Sequence, residues 1–157
     1  MMEEDKENDQ DSIENTNRRK ILNYMVFLVI IGVIFAFTFF RGEYILAPPY
    51  AVSAYLIVFE RKTVYSKKKS IIATYLLVIL LSDLSQIIIG TGIAEMILNV
   101  VIISAFITFT KMSHPPAIAL AIFSFIVSDP VEFTISSLFS LAVLLASSYI
   151  IEKLDWA

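Results

Sequence analysis

The residues that invite a chemical reading in this sequence are few. Its single histidine, His114, stands directly before a proline pair, Pro115-Pro116, and an earlier pair, Pro48-Pro49, follows Ala47. The two pairs lie 67 residues apart. Tyr50 and Ser53 come soon after the first pair, and Ser113 just before the second. Proline suits the first turn of a helix, because its missing N–H would have no partner there anyway. It also pushes the residue before it, here Ala47 or His114, out of helical conformation. Each pair is therefore expected to open a helix whose N-terminus carries roughly +0.5 of an elementary charge. Two such ends facing one cavity would hold an anion without a basic side chain, with Tyr50, Ser53, Ser113 and His114 as further donors. Proline-kinked packing helices are the alternative.

His114, with an ordinary pKa near 6.5, suits either binding an anion or taking up a proton when one arrives. Hydrogen bonding of its ring to backbone is the plainer reading. Asp83 is the other ionisable group of interest, set in an apolar run with Ser82, Ser85 and Gln86. It reads as a proton relay, as the carboxylate partner of His114, or as a packing group bonded by Gln86. Asp83 and Gln86 are thus the proton-coupling candidates. Glu95, Asp129 and Glu132 fall in expected loops, where solvation accounts for them.

Several chemistries are excluded. Zero cysteines remove disulfides, thiolate metal sites and thiol nucleophiles, and one histidine removes multi-histidine zinc or haem sites. No metal and no cofactor is expected. No nucleophile–base pair is visible, so an enzyme is not expected. The basic residues flank apolar segments instead of forming a face, which argues against nucleic acid as a partner.

The elements that must position these groups are unusually apolar. Of 157 residues 57% are hydrophobic and 17% charged, outside the range of soluble domains, and the mean hydropathy is +0.76. Seven acidic residues crowd into the first 14 positions, and residues 1–17 are expected to be a disordered acidic tail. Residues 18–157 form a single transmembrane domain of six apolar segments: Ile21–Phe40, Pro48–Phe59, Ile71–Ile89, Met96–Thr110, Pro115–Val127 and Ile135–Ile151. The first has the length a bilayer core of about 30 Å requires and is expected to remain as an anchor, without signal-peptide cleavage. The two proline-led segments are too short to span as helices, so non-helical chain, Arg41–Ala47 and Lys111–His114, is expected to cover the missing distance. Serines and alanines four apart in the last segment, Ser136–Ser140 and Ala142–Ala146, signal close helix approach.

The order long, short, long occurs twice and in register with the proline pairs, giving two repeats at about 21–89 and 96–151. If all six segments cross with the N-terminus inside, the inner stretches hold Lys6, Arg18, Arg19, Lys20, Arg61, Lys62, Lys67–Lys69, Lys111 and Lys153, leaving Arg41 outside. The positive-inside rule favours that arrangement, with both termini cytoplasmic in a multi-pass cell-membrane protein. Three crossings per unit invert the second unit relative to the first, a recurrent plan in secondary transporters. The expected fold is all-α and integral to the lipid bilayer: two inverted three-helix repeats, the middle segment of each a proline-started half-helix.

Met112-Ser113-His114-Pro115-Pro116-Ala117-Ile118-Ala119-Leu120-Ala121 resembles the His-Pro-Pro signature of the HPP family of small integral membrane proteins. Ala47 to Phe59 is similar to that family's other segment, a proline followed by a serine-containing helix start. The likeness covers roughly residues 20–152. It implies four recognised spans and, from plant chloroplast and cyanobacterial members, transport of nitrite or another small inorganic monovalent anion. His114, Pro115 and Pro116 carry over directly, and Pro48 and Ser53 by position. The chain departs from the family pattern where Pro49-Tyr50-Ala51-Val52 contains no glycine, where Ser66-Lys67-Lys68-Lys69 replaces a Gly-His pair, and at Ile118, which stands for a glycine. The expected function is a transporter or channel for such an anion, bound between Pro48, Pro49, Tyr50 and Ser53 on one side and Ser113, His114, Pro115 and Pro116 on the other. A homo-oligomer is expected, since a second copy would shield polar surfaces. The alternative is a non-transporting membrane scaffold whose acidic tail docks a partner.

Overall fold

The computed structural model describes residues 2–127 and 129–153, with side chains from Glu14 onward. Six helices follow in order: α1 (Met2–Phe40), α2 (Ala47–Phe59), α3 (Lys68–Ile88), α4 (Ile93–Phe109), α5 (Pro116–Ser124) and α6 (Pro130–Lys153). No strand occurs among the described residues. Glu14–Phe40, α3 and α6 are long and apolar enough to cross a membrane, whereas Tyr44–Phe59 and α4 are shorter apolar helices.

α1 continues back through the acidic stretch to Met2, where the sequence reading expects no regular structure. No glycine or proline interrupts residues 2–31, and a helix already nucleated by the apolar run extends into such residues at little cost. Met1 and residues 154–157 of the expected termini lie outside the described residues. At its other end α1 stops in a glycine turn. Gly42 takes φ +79°, its N–H bonds Phe39 O at 3.0 Å, and Glu43 N–H bonds Thr38 O at 2.8 Å. This is the Schellman geometry that glycine supports without steric cost.

The chain then turns directly into α2. The non-helical stretch expected over Arg41–Ala47 shrinks to Arg41–Glu43, because Tyr44–Leu46 forms a 3₁₀ turn and Ala47 is helical, at φ −63° and ψ −37°. Its N–H bonds Tyr44 O, and the bias against helical geometry before proline is steric and partial. Pro115, which precedes Pro116, is likewise in the helical region at φ −55° and ψ −32°. Before α5 the expected irregular chain is present, and His114 lies outside the helix. α4 begins three residues earlier than expected, which carries Glu95 into its first turn.

The short helices occupy the centre. α2 packs on α1, α5 and α6; α5 packs on α2, α3 and α4; α3 and α6 pack on each other. Tyr50, Ala54, Ala117, Leu120 and Ala121 have no exposed surface. α1 and α4 lie outside, contributing among their described residues only Ile30, Ile34 and Ile103 to the buried apolar core. Their outer faces expose Val29, Phe39, Val101 and Phe109 among others. Apolar surface on this scale belongs against lipid, since monomeric soluble proteins rarely expose it. On α6, Ser136 and Ser140 are buried whereas Ala142 and Ala146 face outward, so only the first small-residue pair serves close packing.

The bundle has two chemically different ends. Lys68 pairs with Glu152 at 2.6 Å and Arg61 donates to Asn23 at 2.9 Å at one end. At the other, Arg41 pairs with Glu132 at 2.6 Å. The Glu43 carboxyl is raised above its ordinary range by burial, then by the charges of Glu132 and Asp129. A raised acid binds more protons in the folded state, so its contribution is full below the ordinary glutamate range and is lost as pH climbs through the raised value. Glu43→Gln is expected to raise the unfolding temperature in detergent at neutral pH and to match the parent in acid. A difference that persists in acid would contradict that assignment.

Candidate functional site

Ser53 lies in the middle of α2 with no exposed surface, and three elements converge on it. His114 reaches it from the chain ahead of α5, with Nε2 2.8 Å from Ser53 Oγ. Tyr75 reaches it from α3, with its hydroxyl 2.5 Å from the same oxygen. Pro49 O lies 3.0 Å from Ser53 Oγ and 3.1 Å from the Tyr75 hydroxyl. The second ring nitrogen of His114, Nδ1, is 2.6 Å from Tyr65 O. The imidazole stands edge-on to the Tyr75 ring, with centroids 5.2 Å apart.

Proton accounting gives this network two complete arrangements. Nδ1 must carry a hydrogen to donate to Tyr65 O. With His114 neutral, Nε2 accepts from Ser53, whose oxygen accepts from Tyr75. With His114 protonated, Nε2 donates to Ser53, and the hydroxyls of Ser53 and Tyr75 turn to Pro49 O. Neither arrangement strands a donor, and in both the bonds close on themselves with no vacancy for an added ion.

Of the expected binding residues, Pro48, Pro49, Ser53, His114, Pro115 and Pro116 are brought together, and Ser113 is half-buried beside them. α2 and α5 run past each other in opposite senses: Ser53 in mid-helix meets His114 ahead of α5, while the turn before α2 packs on α5 itself. The four prolines line a groove of about 440 Å³ with Val52, Leu56, Tyr65, Ala119 and Phe123. That groove is almost wholly apolar. The polar contacts lie behind it, in the Ser53–His114 link.

Tyr50 turns away from this link. Its ring packs on Tyr75 at 5.0 Å, and its hydroxyl lies beside Ser137 of α6, without a hydrogen-bond partner. The two tyrosines therefore predict opposite results. Tyr75→Phe removes a donor that Ser53 uses and is expected to cost about 1 kcal/mol. Tyr50→Phe removes a buried hydroxyl that has no partner and is expected to be neutral or slightly stabilising. Thermal unfolding of both variants in one detergent checks the sign.

Asp83 does not pair with His114. It is half-buried on a different face of α3, where Oδ2 accepts from Thr134 of α6 at 2.6 Å. Gln86 does not bond Asp83 either; its amide donates to Ser124 O at 3.0 Å. The buried carboxylate is Glu95, which has no exposed surface. The reading of Glu95 as a solvated loop residue fails because α4 begins before it. Tyr75, Asn99 and the Tyr65 carbonyl were also missed. Glu95 and Asn99, four apart at the head of an apolar run, are a legible signal; a backbone carbonyl donated by a loop is not. Among the described residues no three His, Asp or Glu side chains gather to hold a metal ion.

At the basic end a cavity of about 230 Å³ is lined by Ile57, Arg61, Lys62, Ser66, Ser148, Ile151 and Glu152. Ile57 lies four residues, one helical turn, beyond Ser53. Arg61 uses Nε on Val58 O at 2.9 Å and Nη2 on Asn23, while Nη1 has no partner.

A family model described as HPP, transmembrane region, matches residues 14–156. Neither the curated proteins nor the solved structures offer a match to the chain.

Proposed function

The chain belongs to the HPP transmembrane family, and on that premise we propose that it moves a small monovalent anion, nitrite foremost, across the cell membrane past the crossing of α2 and α5. One arrangement carries this reading. Two proline-started helices run past each other in opposite senses, are joined between by Ser53 and His114, and lie one helical turn from a cavity edged by Arg61 and Lys62. Cationic side chains at a mouth raise the local concentration of anions. Within, the Ser53–His114 bond is the closed position. An anion that parts it accepts from the Ser53 hydroxyl and from protonated Nε2, replacing the Nε2–Ser53 and Ser53–Pro49 bonds by two charge-assisted ones.

Helix packing supports two inverted units. Exchanging α1, α2 and α3 with α4, α5 and α6 maps the principal helix pairs onto one another: α1 on α2 as α4 on α5, α3 on α5 as α6 on α2, and α3 on α4 as α6 on α1. The pairs α2–α5 and α3–α6 map onto themselves. Inverted units with interrupted helices at their interface place a substrate site midway through the membrane. The charge distribution supports a cytoplasmic basic end and cytoplasmic termini.

The test is flux in proteoliposomes offered nitrite, nitrate, formate and chloride in turn. Nitrite-selective flux is expected. Arg61→Gln is expected to raise the half-saturating nitrite concentration by about tenfold, with the maximal rate little changed. An unchanged half-saturating concentration would remove the cavity from the path, and absence of flux from folded, inserted protein would favour a scaffold.

A further inference from the structure

Away from His114, α3, α4 and α5 enclose a second polar cluster. Glu95 Oε1 accepts from Ser85 Oγ at 3.1 Å and from Asn99 Nδ2, which also donates to Ser85 Oγ at 3.0 Å. Next to Ser85, Gln86 bonds Ser124 O, and Ser82 bonds Ser124 Oγ at 2.9 Å. Three atoms of this cluster are buried without a hydrogen-bond partner: Glu95 Oε2, Asn99 Oδ1 and Gln86 Oε1. All three are oxygens, so the deficit is one of donors. A charged carboxylate in this setting would leave one oxygen bare in an apolar surround, which is strongly unfavourable. A hard metal ion would need about six oxygens, and three are free among the described residues. A proton needs two, one to hold it and one to accept from it.

We propose that Glu95 is a proton-binding site, and that proton uptake there accompanies anion movement. The new O–H bond forms at Oε2, with the proton drawn from water on one side of the membrane, and a free amide oxygen of Asn99 or Gln86 accepts from it. The proton leaves to water on the other side, and no electrons move. An anion that travels with this proton crosses as a neutral pair. The coupling role rests on the transport reading above; the proton site itself does not.

Among the described residues no other titratable group faces the cluster. On α3, Asp83 turns to Thr134, Lys68 pairs with Glu152 and Tyr75 belongs to the His114 network. Lys69 sits with Lys68 at the opposite end of α3, and α5 carries no ionisable residue. Asp129, beyond α5, accepts from the first N–H groups of α6.

Two measurements on the full chain in lipid test this. In pH-difference infrared spectra the parent is expected to show a protonated-carboxyl band that Asp83→Asn keeps and Glu95→Gln loses. A band unaffected by Glu95→Gln, or no band, overturns the proposal. Ser85→Ala, which withdraws a donor from Oε1 and leaves both candidate acceptors in place, is expected to move the band's titration to higher pH should Glu95→Gln fail to fold, and an unmoved titration overturns it equally. In proteoliposomes an inward proton gradient is expected to accelerate nitrite uptake by the parent, a component lost in Glu95→Gln; retention of that component overturns the coupling. Absence of uptake by the parent counts against the transport reading, and the infrared result then decides the proton site alone.

Discussion

His114→Ala is expected to lower stability by about 3 kcal/mol, the combined effect of a vacated buried ring and a broken hydrogen-bond chain. The imidazole fills space against Tyr75 and joins Tyr65 O to Ser53 across two loops and a helix. Without it the chain ahead of α5 loses its tie to α2, and Tyr65 O loses its donor. Ser53 retains Tyr75 and Pro49, so α2 itself keeps its shape. The loss is therefore expected at the α2–α5 crossing, read as a lower unfolding temperature together with faster proteolysis between α4 and α5. His114→Gln, which keeps an acceptor and a donor on a side chain of similar reach, is expected to recover part of the difference. Equal stability of parent and alanine variant would mean that the ring is a passenger.

Leu120→Ala has a comparable expected effect by a different route. Leu120 is fully buried on the nine-residue α5, flanked on the same helix by the buried Ala117 and Ala121. In lipid, helices gain nothing by hiding apolar surface from water, so their association depends on contact between well-fitted atoms. A hole in that contact loses dispersion outright, because no atoms move in to fill it. The expected cost is about 3 kcal/mol. Ile122→Ala, two residues on and facing outward at 40% exposure, is expected to change stability by less than about 0.5 kcal/mol. A short helix with alanines on both sides of its one large buried residue has little else to hold it.

The number and order of the helices were legible because hydrocarbon thickness dictates how many apolar residues a span needs, and the proline pairs marked where the short helices begin. The helix ends were not, since α1 runs back to Met2 and α6 starts at Pro130, beyond the apolar runs. His114 was legible as a polar residue beside a helix start, and Ser53, which falls in mid-helix, as a polar residue within a proline-led apolar segment. Rotation of each helix was not. A helix surrounded by lipid and protein is apolar on both faces, so periodicity of apolar residues does not reveal which side turns inward. Polar residues are then the only markers. On α3, Thr74, Tyr75, Ser82, Ser85 and Gln86 fall on the buried face with Ile71, Val78 and Ile79, whereas Asp83, the most conspicuous residue by charge, lies off that face. Charge drew the reading toward Asp83, and the i, i+3, i+4 spacing of the milder polar residues held the answer. Ala47 shows another limit: the rule that a residue before proline leaves the helix is a steric bias and not a prohibition, and the hydrogen-bonded 3₁₀ turn leading into Ala47 overrides it.

Passage of an anion where Ser53 meets His114 is tested by nitrite flux through the reconstituted parent, His114→Ala and His114→Gln. All three are first shown to be folded and inserted. Nitrite-selective flux is expected in the parent, with its loss in His114→Ala and partial recovery, with altered selectivity, in His114→Gln. Undiminished nitrite flux through His114→Ala would contradict passage at that contact and place the path elsewhere in the bundle.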